Sequence, residues 1–564
     1  MSDDIAPVNM SGNAYLARVL KDLGVTHIFY VPVLAPEAMK ELTRLGLQPI
    51  VTHGEKAAAY MADGYARVAR RVGVCGAQNI GGTNLAAGLR DAYLSRTPVL
   101  ALTGGPTAAT RYRQAYQEFD DLPVFAALTK FNARVDSVER LPDLLATAFR
   151  AATTGMPRPV HLQLDGFYAA SLIGEFEVRM AADRRFGSFP AFRPQASAQD
   201  VDAAIGELKA AERPVIVAGG GVQSSQAAEA LSALAERMQI PVATSLNAKS
   251  VIADDHPLGV GCAGEYSQTP ANRALAQADL VFFVGTPTGG LTTLNWTLPP
   301  VETRVIHLDI DAESIGRNYR NCVPLLGDAR TVLEQLIAAA PARSDRGRWL
   351  KTCAEFRAEW RRAVEPFELN ERPVMRPERL CRLMSDLLPQ DAIVVGDTGH
   401  AAAWLAQNIA VRSTDQQFIR ADGSLGWSLP AAIGAKCAAP ERDVICFGGD
   451  ASFLYHIAEL ETAVRYGKKI IAIVNNNVCM NQEKVFWGDD PAFASNWRFR
   501  DTNFTQVAQG FGCRAMRVET SKEFVAAFRQ ALASDVPAVI DVRTGADALP
   551  QNTWKPFGVS DGHA

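Results

Sequence analysis

Asp450 and Asn477, 27 positions apart, have the chemistry of a magnesium diphosphate site. Mg²⁺ takes hard oxygen ligands in octahedral geometry and keeps phosphate oxygens and water among them, so one carboxylate and one amide oxygen leave room for a diphosphate. Gly448 and Gly449 let backbone approach an anion, and the amides of Ala451 and Ser452 fall at a helix start, where the dipole favours phosphate. Taken singly, Asp450 reads equally as an N-cap and Asn475 to Asn477 as a turn.

The elements that must carry this pair are readable on either side of it. Val444 to Gly448 is an apolar run expected to form a buried strand, Ala451 to Arg465 has helical apolar spacing, and Lys469 to Val474 reads as a second buried strand. This is a βαβ unit. Its right-handed crossover puts Asp450 and the asparagines at the carboxyl ends of parallel strands, where open α/β sheets bind ligands.

The cassette Gly449-Asp450-Ala451 through Asn476-Asn477 resembles the signature of the thiamin diphosphate-dependent enzymes, with alanine in place of the usual second glycine. That resemblance implies thiamin diphosphate and Mg²⁺ as cofactors, the metal held by Asp450, Asn477 and the backbone carbonyl of Cys479. It extends to His53-Gly54-Glu55 and the small-residue run ending in Gly64-Tyr65-Ala66-Arg67, so Glu55 is implied as the carboxylate that shares a proton with the cofactor's aminopyrimidine. By composition alone Glu55 would be a helix N-terminal glutamate. Gly423-Ser424-Leu425-Gly426 resembles the block that bends the cofactor, with Leu425 as apolar wedge and the Gly423 carbonyl as acceptor. Asp397-Thr398-Gly399-His400 matches the segment that touches the diphosphate from the other side, and Gln117 falls in the segment that faces substrate. Thr398, Gly399, His400, Gly449, Ala451, Ser452 and Met480 complete the implied cofactor-binding set.

Over 564 residues the chain alternates strand and helix patterns, 48% hydrophobic and 21% charged, as in a globular α/β protein. The expected fold is three doubly wound parallel-sheet domains. They are a pyrimidine-binding domain over 1–174, a linker over 175–198, a central Rossmann-like domain over 199–342, a linker over 343–376, a diphosphate- and Mg-binding domain over 377–548, and a tail over 549–564. A net charge of −4 carries no nucleic-acid footprint, and no apolar run reaches membrane-span length. Nine scattered cysteines without CxxC spacing point to neither zinc nor disulfides, and the chain is expected to be cytoplasmic.

Within the family the resemblance is closest to the acetolactate synthase-like group. It implies carbon–carbon bond cleavage or formation beside a carbonyl, most simply as a carboligase on pyruvate or a related 2-oxo acid. The alternative is a decarboxylase or lyase for another 2-oxo acid, 1,2-diketone or acyl-CoA. Val33 and Leu34 stand where acetolactate synthases carry two glycines beside the substrate, and Met480 to Lys484 lack their acceptor-site tryptophan. Gly285 to Gly290 replace an Arg-Phe-Asp segment, removing an arginine that would contact flavin, so FAD is possible but not favoured. The resemblance also implies a homodimer or homotetramer with active sites between chains.

Overall fold

Eighteen parallel strands in three six-stranded sheets form the framework of the computed structural model, which describes residues 6–180, 182–341, 345–372, 374–488 and 490–556. The first sheet contains β1 (His27–Tyr30), β2 (Gln48–Val51), β3 (Gly73–Ala77), β4 (Val99–Gly105), β5 (Phe131–Val135) and β6 (Val160–Asp165), in the order β2-β1-β3-β4-β6-β5. The second contains β7 (Pro214–Ala218), β8 (Val242–Thr244), β9 (Gly259–Cys262), β10 (Leu280–Val284), β11 (Arg304–Asp309) and β12 (Cys322–Leu326), in the order β9-β8-β7-β10-β11-β12. The third contains β13 (Ile393–Gly396), β14 (Gln417–Arg420), β15 (Val444–Gly449), β16 (Ile471–Asn476), β17 (Arg514–Val518) and β18 (Ala538–Arg543), in the order β14-β13-β15-β16-β18-β17. The first and third sheets thus share one topology. The doubly wound expectation holds in all three.

Central strands are buried on both faces because they are continuous apolar runs, as in VICFGG of β15 and IAIVNN of β16. The edge strands β5 and β17 carry half-exposed polar residues, β12 is an apolar run interrupted by Pro324 and partly exposed, and none of the three was expected from pattern alone. Glu175–Val178 pairs antiparallel with Val8–Ser11, and Gly347–Glu368 is a 22-residue helix. The single helix expected over 451–465 is two, Asp450–Tyr455 and Glu459–Arg465. The break at His456 lets the second helix start on Glu459, whose carboxylate accepts the His53 N–H at 3.0 Å from the first domain.

The first and third domains meet along helices. We call Glu55–Ala69 α1, Gly82–Leu94 α2 and Ser428–Ala438 α3. Where α1 crosses α3 the contact is backbone on backbone: a Cβ on Gly64 would lie 2.2 Å from the Ala431 carbonyl oxygen, and one on Gly434 1.9 Å from that of Met61. Trp427 donates from Nε1 to Asp63 Oδ2 at 2.9 Å, and Arg67, paired with Asp63, stacks over the Trp427 ring at 4.5 Å. Gly434→Val is therefore expected to force the helices apart. Overpacking of this kind costs about 1–3 kcal/mol or more, so thermal melts should show a lower transition, and an unchanged one would refute the contact.

Past the third sheet the chain runs back over the central domain. Gln551 exchanges two hydrogen bonds with Gln407, at 2.9 and 3.0 Å, and the Trp554 carbonyl accepts from Asn272 at 3.1 Å. Residues 1–5 of the expected first domain and 557–564 of the expected tail lie outside the described residues. Among those described, no helix is long and apolar enough to cross a membrane.

Candidate active site

β13 is followed in sequence by β14 on one side of it and β15 on the other, so a crevice opens at this switch point beyond the strands' carboxyl ends. A cavity of about 270 Å³ lies there. Thr398, Gly399 and His400 line it after β13, and Gly449, Asp450, Ala451 and Ser452 after β15. Asn477, Cys479 and Met480 enter after β16, and Gly423 and Leu425 from the loop after β14. The two cavity faces are thus drawn from four strand ends.

Asp450 is the first residue of its helix and only 4% exposed. Its Oδ1 accepts the Ala451 N–H at 2.7 Å and its Oδ2 the Cys479 N–H at 3.1 Å, which ties the two halves of the motif together. Burial pushes its carboxyl up to about 6, against the pull of these amides. Asn477 Oδ1 accepts from the Cys479 N–H and Sγ, each at 3.3 Å, and buried Asn475 Oδ1 has no partner. Among the described residues no cluster of three His, Cys, Asp or Glu side chains could hold a metal. A metal here would rest on one carboxylate with amide and backbone oxygens, a donor set that fits Mg²⁺ and excludes a zinc-type site. His400 opens the helix His400–Asn408, and burial lowers it to about 4.

Glu55 and Gln117 do not line this cavity. Glu55 opens α1, half-buried, its Oε2 accepting from Asn84 Nδ2 at 3.3 Å and its carboxylate against the Gly81 Cα. Gln117 sits at φ 58° in the loop after β4, its Oε1 buried and unpartnered. Leu34 is 1% exposed in the first domain's core, where the missing side chain of Gly76 makes room for it. Of Val33 and Leu34, only Val33 reaches the surface.

Sequence reasoning passed over several residues here. Asn475, Asn481, Gln482 and the central domain's Tyr266 also line the cavity. Asn475 was within the motif; Tyr266 carries no local signal, because only the tertiary fold brings it to the third sheet. Asp121 is fully buried beside Gly82, and burial pushes it up to about 7 against the opposing pull of the Thr103 hydroxyl. A folded pKa raised from about 4 means that this group's contribution to stability is present in acid and lost as pH rises through 7. Asp121→Asn should thus stabilise the fold at pH 8 by on the order of 2–4 kcal/mol, read as a higher melting temperature, while changing the melting temperature little at pH 4. Equal effects at both pH values would overturn the assignment.

A larger cavity, about 390 Å³, lies at the carboxyl ends of β7, β10 and β11, bounded by Gly220, Gly221, Gly285, Asp309 and, from the first domain, Arg96. Asp309 is 6% exposed with Oδ2 unpartnered, and Asn247 Oδ1 is likewise free of a hydrogen bond.

These sites lie in domains with known relatives. Residues 10–124 match the thiamine pyrophosphate enzyme N-terminal TPP binding domain, 201–336 the central domain, and 397–542 the C-terminal TPP binding domain. The chain is 31% identical over 560 residues to a probable acetolactate synthase large subunit of Methanocaldococcus jannaschii, covering 96% of this chain and 93% of that protein. It is 31% identical to the acetolactate synthase isozyme 2 large subunit of Escherichia coli, with 98% of each chain covered, and 29% identical to the acetolactate synthase large subunit of Lactococcus lactis, with 94% and 92% covered. Three matched domains laid out on three parallel sheets, and kinship over nearly the full length, make the chain a member of the thiamine pyrophosphate enzyme family, in its acetolactate synthase-like group.

Proposed function

We propose that the protein is a thiamin diphosphate- and Mg²⁺-dependent carboligase acting on pyruvate or a related 2-oxo acid. The observation that carries this reading is the cavity in which Asp450, Asn477 and Leu425 converge, in a chain aligned end to end with acetolactate synthase subunits. Bound there, the cofactor would supply a nucleophilic carbon and an electron sink for breaking a bond beside a carbonyl. The chain's own residues do the rest. Asp450 and Asn477, with the Cys479 carbonyl, hold the metal; Gly449, Ala451 and Ser452 receive diphosphate at a helix start; His400, Thr398 and Gly399 approach it from β13, with Met480 closing that side. Leu425 would pack beneath the cofactor, the Gly423 carbonyl would accept from its amine, and Glu55 would hold a proton for its pyrimidine. Gln117 faces the substrate.

Among the described residues none from the first domain lines the cavity, while that domain exposes Ile80, Tyr112, Tyr116 and Phe119 on loops past its sheet's carboxyl ends. We therefore assign Glu55 and Gln117 to the cavity of a second copy, in a homodimer or larger homo-oligomer. All nine cysteines are free, eight of them buried, which suits a reducing cytoplasm.

Incubation with thiamin diphosphate, Mg²⁺ and pyruvate, with product identification by mass spectrometry, is expected to give carbon dioxide and a ligated 2-hydroxy-3-oxo acid. Carbon dioxide with aldehyde alone would replace the carboligase by a decarboxylase. That second reading has one specific support: Val33, 42% exposed at φ 86°, stands on the strand-end loop where a glycine would leave acceptor room. Flavin is left out of the proposal, because 285–290 offers no cationic side chain to the larger cavity. The protein as purified should lack flavin absorbance, and a stoichiometric flavin band would refute this.

A further inference from the structure

The Gly423–Leu425 loop is held between two carboxylates, one of which comes from a different domain. Asp397, just after β13, accepts the Gly426 N–H at 3.1 Å and the Ser428 N–H at 3.0 Å. Asp91, in the last turn of α2, accepts the Asp422 N–H through Oδ1 at 2.5 Å and the Ser424 N–H through Oδ2 at 3.0 Å. The two amides clamped by Asp91 flank Gly423, which sits at φ 143° with open space around its Cα. No side chain there can fix the peptide's orientation. The clamp can.

Asp91 is fully buried. Arg67 faces it at 3.9 Å from α1, and the carboxylates of Asp63 and Asp422 are the other charges around it. Burying a carboxylate is unfavourable unless its oxygens are hydrogen-bonded, and both oxygens here are used on the loop. Were the contact only for packing, an apolar side chain would serve at lower cost.

We propose that Asp91 is a positioning residue for the proposed cofactor site: the first domain of each chain sets the Gly423 carbonyl and the Leu425 side chain in the third domain of that same chain. Each site then draws on three surfaces, the metal and diphosphate cradle, the loop braced by Asp91 of its own chain, and Glu55 of a second copy. This inference rests on the function proposed above, but its structural core does not.

The test uses the full-length protein and two variants, Asp91→Asn and Asp91→Glu. In Asp91→Asn one oxygen becomes an amide donor that meets an N–H, so one clamp bond is lost without loss of shape. Backbone amide exchange over 422–427, measured without cofactor, should quicken at least about tenfold in Asp91→Asn, as expected for a lost charge-assisted bond. With thiamin diphosphate, Mg²⁺ and pyruvate, kcat should fall about 10²-fold, the scale of a 1 Å misplacement, while KM and cofactor affinity stay within about threefold, since the diphosphate cradle is untouched. Asp91→Glu keeps both acceptors and the charge facing Arg67, should recover part of kcat, and carries the test if Asp91→Asn fails to fold. Unchanged amide exchange, or unchanged kcat in a protein that turns over pyruvate, overturns the proposal. If the wild-type protein binds no thiamin diphosphate, the functional reading fails while the exchange result still decides the clamp.

Discussion

Glu55→Gln is expected to lower turnover by about 10³-fold while leaving cofactor affinity within about tenfold, because it removes a transferable proton and little else. Glutamine has the same shape, and Asn84 Nδ2 can still donate to its side-chain oxygen from 3.3 Å. The position is defined tightly enough for the substitution to be clean: the Glu55 carboxylate packs on Gly81, where any Cβ would lie 2.4 Å from Oε1, and Gly54 sets the start of α1. A general acid or base typically contributes 10²–10⁴-fold, whereas a helix N-terminal charge contributes about 0.3–1 kcal/mol to stability and nothing to turnover. Steady-state kinetics with thiamin diphosphate binding measured in parallel separates these. A variant with more than half of wild-type activity would reduce Glu55 to a helix-end charge.

What was legible in the sequence follows from how local each signal is. β15 and β16 are continuous apolar runs whose burial on two faces leaves no other reading, and the glycines beside Asp450 announce a strand end. β5 and β17 lie at sheet edges, where one side of the strand meets water and the apolar run dissolves into mixed residues. Leu34 was read by resemblance alone as standing beside the substrate, and its burial was not legible because the space it fills, beside Gly76, belongs to the adjacent strand. Asp91 carried no local sign of its role: its acceptor oxygens serve amides 331 and 333 positions away. Spacing finds groups that act with near neighbours. It is blind to a carboxylate whose partners arrive with another domain.

Asp450→Ala is expected to abolish Mg²⁺-dependent binding of thiamin diphosphate, with affinity falling at least about 10²-fold, because it removes the one carboxylate in a donor set otherwise made of neutral oxygens. Each of its oxygens also accepts a backbone amide, so the variant leaves the Ala451 and Cys479 N–H groups without these acceptors and loosens the strand ends that shape the cleft. Isothermal titration with and without Mg²⁺ measures the loss, and wild-type affinity in both conditions would remove Asp450 from the metal site. Mixing this variant with Glu55→Gln tests the assembly as well as the roles. If Glu55 serves the cavity of a second copy, a mixed dimer pairs an intact Asp450 in one chain with an intact Glu55 in the other, restoring one of its two sites. Random exchange makes half the dimers mixed, so two inactive proteins should together regain about a quarter of wild-type turnover. A site built within one chain would instead stay inactive in every mixture, since each chain then lacks one of its two carboxylates.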